Sequence, residues 1–177
     1  MEKQESNKAF LRTYPFAYGG GMMLISATVA TYFSIFMTDT FGIPAAAASV
    51  IMFIATLWDA INDPMMGMIA DRTHNRFGRY RSYYLWVPVV LTFAAFMVFL
   101  APKGLSTPQK VAYIAVFYII YGMAYTALTM PTVAAVPANT KNDKERNTVV
   151  TLACGVMSLA FCFVSTFTTK LTAITNG

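Results

Sequence analysis

The sequence predicts an all-α membrane protein of five transmembrane helices, and three observations carry that prediction. Hydrophobic residues make up 56% of the 177 and charged residues only 12%, where a soluble domain has about a quarter charged. The apolar residues gather into five runs, each near the roughly 20 residues that a bilayer core demands. The charges sit in short clusters between those runs, so the net charge of +5 reads as a membrane-topology pattern rather than a nucleic-acid-binding surface. The expected surroundings are a lipid bilayer, with no nucleic acid partner.

The spans are expected at about 16–38, 45–70, 83–101, 111–136 and 149–171. A polar stretch, 1–15, precedes the first; it is not a signal peptide, because the apolar run after it is too long for one and lacks a small-residue cleavage site. DTFGIP at 39–44 is a turn. PKGLSTPQ at 102–109 is a loop punctuated by Pro and Gly, and ANTKNDKERN at 138–147 is a charged loop. The glycines at 19–21 permit close helix contact on the first span; no P-loop pattern follows them. Cys154 and Cys162, eight apart in one apolar run, are separated by about 12 Å of helix, too far for a disulfide. Trp58 and Trp86 are candidate interfacial anchors.

Orientation follows from the basic residues. Lys3, Lys8, Arg12, Arg72, Arg76, Arg79, Arg81, Lys141, Lys144 and Arg146 lie on one side, and only Lys103, Lys110 and Lys170 on the other. Basic segments stay in the cytoplasm, so a plasma-membrane, multi-pass protein with a cytoplasmic N-terminus is expected. Five spans leave 172–177 outside. An odd span count and a polar stop directly after a span read as a truncated end, the N-terminal part of a larger bundle.

The second span contains WDAINDP, placing Asp59, Asn62 and Asp63 at i, i+3 and i+4 on one helical face. Asp59 lies about 21 Å of helical rise from the outer end, in the inner half of the span. Each carboxylate at a helix centre costs about 2.5–3.5 kcal/mol on insertion scales. No Lys, Arg or His lies in the interior of any span to offset this. A small cation held by hard oxygen ligands, or a proton shared by the pair, is the expected compensation, with the Asn62 carbonyl as a neutral ligand. The alternative is that both acids snorkel to cytoplasmic water. Pro64 follows at once and lacks the N–H that would close the helix there; with Gly67 it shapes the site or simply bends the span.

These residues closely resemble the glycoside–pentoside–hexuronide:cation symporters, the melibiose permease-like family of the major facilitator superfamily. The likeness rests on Trp58-Asp59-Ala60-Ile61-Asn62-Asp63-Pro64 with Gly67, on Arg76-Phe77-Gly78-Arg79, on Tyr121-Gly122-Met123-Ala124-Tyr125-Thr126 leading to Pro131, and on Val136-Pro137 with Asp143-Lys144-Glu145-Arg146. It extends from about residue 16 to 150. The resemblance implies a transporter of two six-helix bundles working by alternating access, of which this chain would supply most of the first, in need of the remaining C-terminal helices. It implies a monovalent cation site at Asp59, Asn62, Asp63 and Thr126, for Na+, Li+ or H+, with no other cofactor. Galactoside-carrying members recognise sugar with an acid on the first helix, an acid on the fourth and an arginine on the fifth. The matching positions here are Met22–Leu24, Thr129 and Cys154, which speaks against a galactoside but not against a cation-coupled solute.

Tyr118, Tyr121, Tyr125 and Thr129 recur at helical spacing on the fourth span. They form a face that could stack on a sugar or simply pack; Tyr121, Tyr125 and Thr129, with Met23, are the candidate solute residues. Gly67, Asp71, Arg72, Gly78, Arg79 and Arg81 resemble the superfamily's gating loop, whose charges lock one conformation; the same arginines also set topology. His74, the only histidine, lies in that loop.

The expected function is therefore cation-coupled symport of a sugar or glycoside, not an enzymatic activity. Cation binding at Asp59 and Asp63 would draw spans two and four together through Thr126. A metal-dependent membrane phosphotransferase would use Asp59, Asp63, Gly67 and Asp71 but would open on Asp-Gly-x-x-Ala-Arg, absent here. An intramembrane aspartyl protease needs acids on two spans. As an isolated polypeptide the chain could also be a non-functional fragment, since five helices cannot build both walls of an alternating-access path.

Overall fold

A computed structural model describes residues 8–72 and 81–175, and among these every regular element is helical. We number the helices α1 (Lys8–Thr40), α2 (Ala45–Arg72), α3 (Arg81–Phe99), α4 (Thr107–Asn139) and α5 (Asp143–Thr175). Within α1, Pro15–Met22 and Phe36–Thr40 are π-helical. Four of the helices have stretches long and apolar enough to cross a membrane, and the apolar part of the fifth, Tyr83–Phe99, is shorter.

The helices outrun the expected spans at most ends. α1 begins eight residues before 16, and α4 starts at Thr107, inside the expected loop. α3 stops at Phe99, two residues short of 101, before Pro102. The largest correction is the charged loop at 138–147, which shrinks to Thr140–Asn142. A capping box accounts for it: Asn142 Oδ1 accepts from the Glu145 amide at 2.9 Å while Glu145 Oε2 accepts from the Lys141 amide at 2.9 Å. The polar residues that read as loop are the first turn of a helix.

The chain forms two compact units. The first, Tyr32–Val133, holds the end of α1, all of α2 and α3, and most of α4. Its buried positions recur at helical spacing: Ala48, Ile51 and Ala55 on α2, Leu91, Ala94 and Val98 on α3. The intervening apolar residues, such as Phe53, Leu57, Phe93 and Phe96, are exposed, as lipid-facing side chains are. Phe33 stacks on Tyr118 with centroids 4.2 Å apart. Lys110 pins the α1–α2 turn by donating from Nζ to the Phe41 carbonyl at 2.7 Å and lying 5.1 Å over the Phe41 ring. Gly42, next in that turn, has φ +69°, a conformation glycine adopts without strain.

The second unit comprises the chain up to Thr31 together with Ala134 onward. Tyr14, Val136, Val149 and Ala153 are its core, with Phe10, Leu11 and Tyr18 packed against them. The π-helical stretch of α1 lies against α5. A Cβ added at Gly19 would sit 2.5 Å from the Ala153 carbonyl oxygen, and one at Gly20 would sit 3.7 Å from Val156 Cγ1. The expectation of close contact thus holds for Gly19 and Gly20. Gly21 faces open space.

Candidate cation site

α2 passes unbroken through Pro64 and presents Asp59, Asn62 and Asp63 beside α4. The Thr126 hydroxyl donates to Asp63 Oδ1 at 2.9 Å. Its helical neighbours do otherwise: Thr129 donates to the Tyr125 carbonyl at 2.8 Å and Thr132 to the Leu128 carbonyl at 2.6 Å, the usual habit of a hydroxyl inside a helix. Thr126 turns outward because a carboxylate is a stronger acceptor than a carbonyl already engaged in the helix.

One turn earlier, Gly122 makes the approach possible. A Cβ there would lie 3.0 Å from Asp59 Oδ1. Gly122 opposite Asp59 and Thr126 opposite Asp63 are each four residues apart, so the two helices run parallel here and meet in register. Gly122 is the site residue that sequence reasoning quoted in a motif without giving it a role. The available clue was a small residue one turn before Thr126, matching the spacing of the two acids.

The surroundings are partly buried and, among the described residues, hold no basic partner. Thr126 is 6% exposed and Asn62 3%, while Asp59 and Asp63 are half-buried. Among the described residues neither carboxylate has an ion-pair partner. Asn62 Nδ2 and Trp58 Nε1 are buried without hydrogen-bond partners. Trp58 therefore does not present its N–H to solvent as an interfacial anchor would, whereas Trp86 is 74% exposed. The site sets two carboxylates on adjacent turns of α2 beside a hydroxyl of α4, with Asn62 between them in sequence. Because Thr126 donates its proton to Asp63, its oxygen lone pairs remain available. Such an oxygen set suits a small hard cation. No larger group of acids, histidines or cysteines that could hold a metal ion occurs among the described residues.

The candidate solute residues are less concentrated. Tyr118, Tyr121 and Tyr125 stack successively along α4, each centroid 6.2 Å from the next. Tyr121 is buried in that stack, and the Thr129 hydroxyl is spent on its own helix. The ladder is thus a packing feature in this conformation. Met23 is half-buried and Cys154 exposed, both in the other unit. Of the gating set, Gly67 has open space around it and Arg72 is exposed at the end of α2. Gly78, Arg79 and His74, and the side chains of Asp71 and Arg81, lie outside the described residues.

Comparison with known proteins agrees with the motif. Residues 16–177 match the family described as MFS/sugar transport protein. The chain belongs to that family. Its members are transporters, and the apolar helices of this chain are those of a multi-pass membrane protein. Among relatives of this MFS chain, an isoprimeverose transporter of Lactiplantibacillus pentosus is 34% identical, over 84% of this chain and 31% of its own length. The uncharacterized symporter YnaJ of Bacillus subtilis (strain 168) is 35% identical over 85% of this chain and 32% of its own. The putative glycoside/cation symporter YagG of Escherichia coli (strain K12) is 32% identical over 63% and 24%. The chain thus spans about a third of the length of the first two of these curated relatives.

Proposed function

We propose that this chain belongs to a cation-coupled symporter of a sugar or glycoside, and that Asp59, Asn62, Asp63 and Thr126 hold the coupling cation. One observation carries the reading: a hydroxyl of α4 reaches a carboxylate of α2 at 2.9 Å, in a helical pair with no basic residue in its interior. Two acids close in space repel when both are ionised. A sodium or lithium ion, or a proton, relieves that repulsion and draws α2 and α4 together. The helix pair then becomes a two-state element whose equilibrium the cation biases. The names of two relatives, an isoprimeverose transporter and a glycoside/cation symporter, support a sugar-like solute. Tyr125 would contribute to its site, and Tyr121 and Thr129 would do so only after leaving their present contacts; Met23 is a separate candidate. Gly67, Asp71, Arg72, Gly78, Arg79 and Arg81 would gate the cytoplasmic side. Alternating access needs a second wall, which helices beyond these five would supply.

The distribution of Lys and Arg supports a plasma membrane location with the N-terminus in the cytoplasm. The test is cation-dependent uptake by the full-length transporter with Asp63→Cys. Loss of the dependence on sodium, lithium and pH supports the site; retained coupling rejects it.

A further inference from the structure

The register of α2 against α4 leaves one acid of the cation site without a donor. Asp63 receives the Thr126 hydroxyl at 2.9 Å. The residue facing Asp59 is Gly122, where a Cβ would lie 3.0 Å from Asp59 Oδ1, and glycine has no side-chain donor. Among the described residues Asp59 makes no hydrogen bond and no ion pair. A half-buried carboxylate in that state loses hydration without a compensating bond. The next position on the same line of α4 is Tyr118, four residues before Gly122 as Gly122 is four before Thr126. The two helices run parallel here, and helical side chains lean toward the N-terminus. The Asp59 carboxylate therefore leans from the level of Gly122 toward that of Tyr118.

The Tyr118 phenol lies within electrostatic range of Asp59 and, among the described residues, has no hydrogen-bond partner. Its ring is fixed. The buried Phe33 of α1 stacks on it with centroids 4.2 Å apart and an interplanar angle of 16°, and Tyr121 stacks on it at 6.2 Å. A ring fastened on two neighbours has only its hydroxyl left to serve a third. We propose that Tyr118 is the positioning residue of Asp59, its hydroxyl donating to that carboxylate when the cation draws α2 and α4 together. Tyr118 is not a cation ligand; it acts through Asp59, and Phe33 sets the ring for it. Each acid then has its own donor from α4, Tyr118 for Asp59 and Thr126 for Asp63. The assignment rests on the symport reading given above.

The test is Tyr118→Phe in the full-length transporter, which removes the hydroxyl and keeps the ring and its stacks. Uptake is measured against sodium, lithium and proton concentration. The half-maximal concentration of the coupling ion is expected to rise by about tenfold, the lower end of what a hydrogen bond to a charged group contributes. The half-maximal solute concentration at saturating cation and the melting temperature in detergent should stay at the parent's values. A purely packing role would leave the cation dependence where it was. Phe33→Leu, which loosens the ring, should shift the cation dependence in the same direction by less, and should add nothing in the Tyr118→Phe background. A Tyr118→Phe transporter with the parent's cation dependence overturns the proposal, and so does a full additional shift from Phe33→Leu in that background. Asp63→Cys separates this failure from that of the symport reading. If Asp63→Cys loses coupling while Tyr118→Phe keeps it unchanged, only the role of Tyr118 falls. If the parent itself shows no cation dependence, both fall.

Discussion

Thr126 and Asp63 are joined by a 2.9 Å hydrogen bond between α4 and α2, and Thr126 is the hydroxyl that abandons its own helix to make it. The bond links residues 63 apart in sequence and fixes the face on which α4 meets the acids. Removing the hydroxyl while keeping the shape, Thr126→Val, leaves Asp63 without its donor. A hydrogen bond to a charged group contributes about 1.5–3 kcal/mol, so apparent cation affinity should fall by roughly ten- to a hundredfold. Thr126→Ser should restore most of it. The cation concentration for half-maximal uptake is the measurement.

Gly122→Ala would set a methyl 3.0 Å from Asp59 Oδ1. The carboxylate sits at the end of a short side chain and can retreat by a few tenths of an ångström. The expected outcome is a folded protein with weaker cation coupling. Wild-type detergent stability combined with a raised half-maximal cation concentration would show it.

Gly19→Ala is expected to be worse for the fold than Gly21→Ala. At Gly19 the new methyl meets the Ala153 carbonyl oxygen at 2.5 Å, and backbone cannot step aside as a side chain can, whereas at Gly21 nothing lies within 4 Å. Overpacking of this kind costs about 1–3 kcal/mol. Thermal melts of the two variants in one detergent should separate them, with Gly21→Ala close to the parent.

Lys110→Met removes both the 2.7 Å bond to the Phe41 carbonyl and the cation above the Phe41 ring. The α1–α2 turn should loosen at a cost of about 1–3 kcal/mol. A cysteine placed at Ile43, which is 2% exposed, should react faster with a maleimide in the Lys110→Met background.

Asn142→Ala and Glu145→Ala each delete one side of the cap on α5. Each should lower stability by about 1 kcal/mol, with Asn142→Asp nearly neutral because it keeps the acceptor. Chemical denaturation followed by circular dichroism reads the difference.

Much of this was legible in the sequence because the bilayer imposes a simple rule: runs of about 20 apolar residues must be helices. The number of helices and the anomaly of Asp59 and Asp63 follow from it. Helix ends do not, since a capped helix continues into water and only local chemistry at Asn142 and Glu145 says where it starts. The partner of Asp63 was reachable through the resemblance, which implied Thr126, while hydropathy says nothing about which face of α4 turns toward α2. Gly122 is illegible in the sequence because a missing side chain leaves no chemical mark; its importance appears only when another helix stands against it. The tyrosine ladder was legible in part: spacing puts Tyr121 and Tyr125 on one face, and the structure adds that their rings stack on each other.

The absent side chain at Gly19 has a consequence for leakiness. Where a carbonyl of Ala153 comes so near the α1 backbone, neither an acyl tail nor a hydrated ion has room to slip between the two segments. A cation-coupled transporter of the kind proposed would draw its work from an ion gradient, and a helix contact this tight is one seam along which that gradient could not drain.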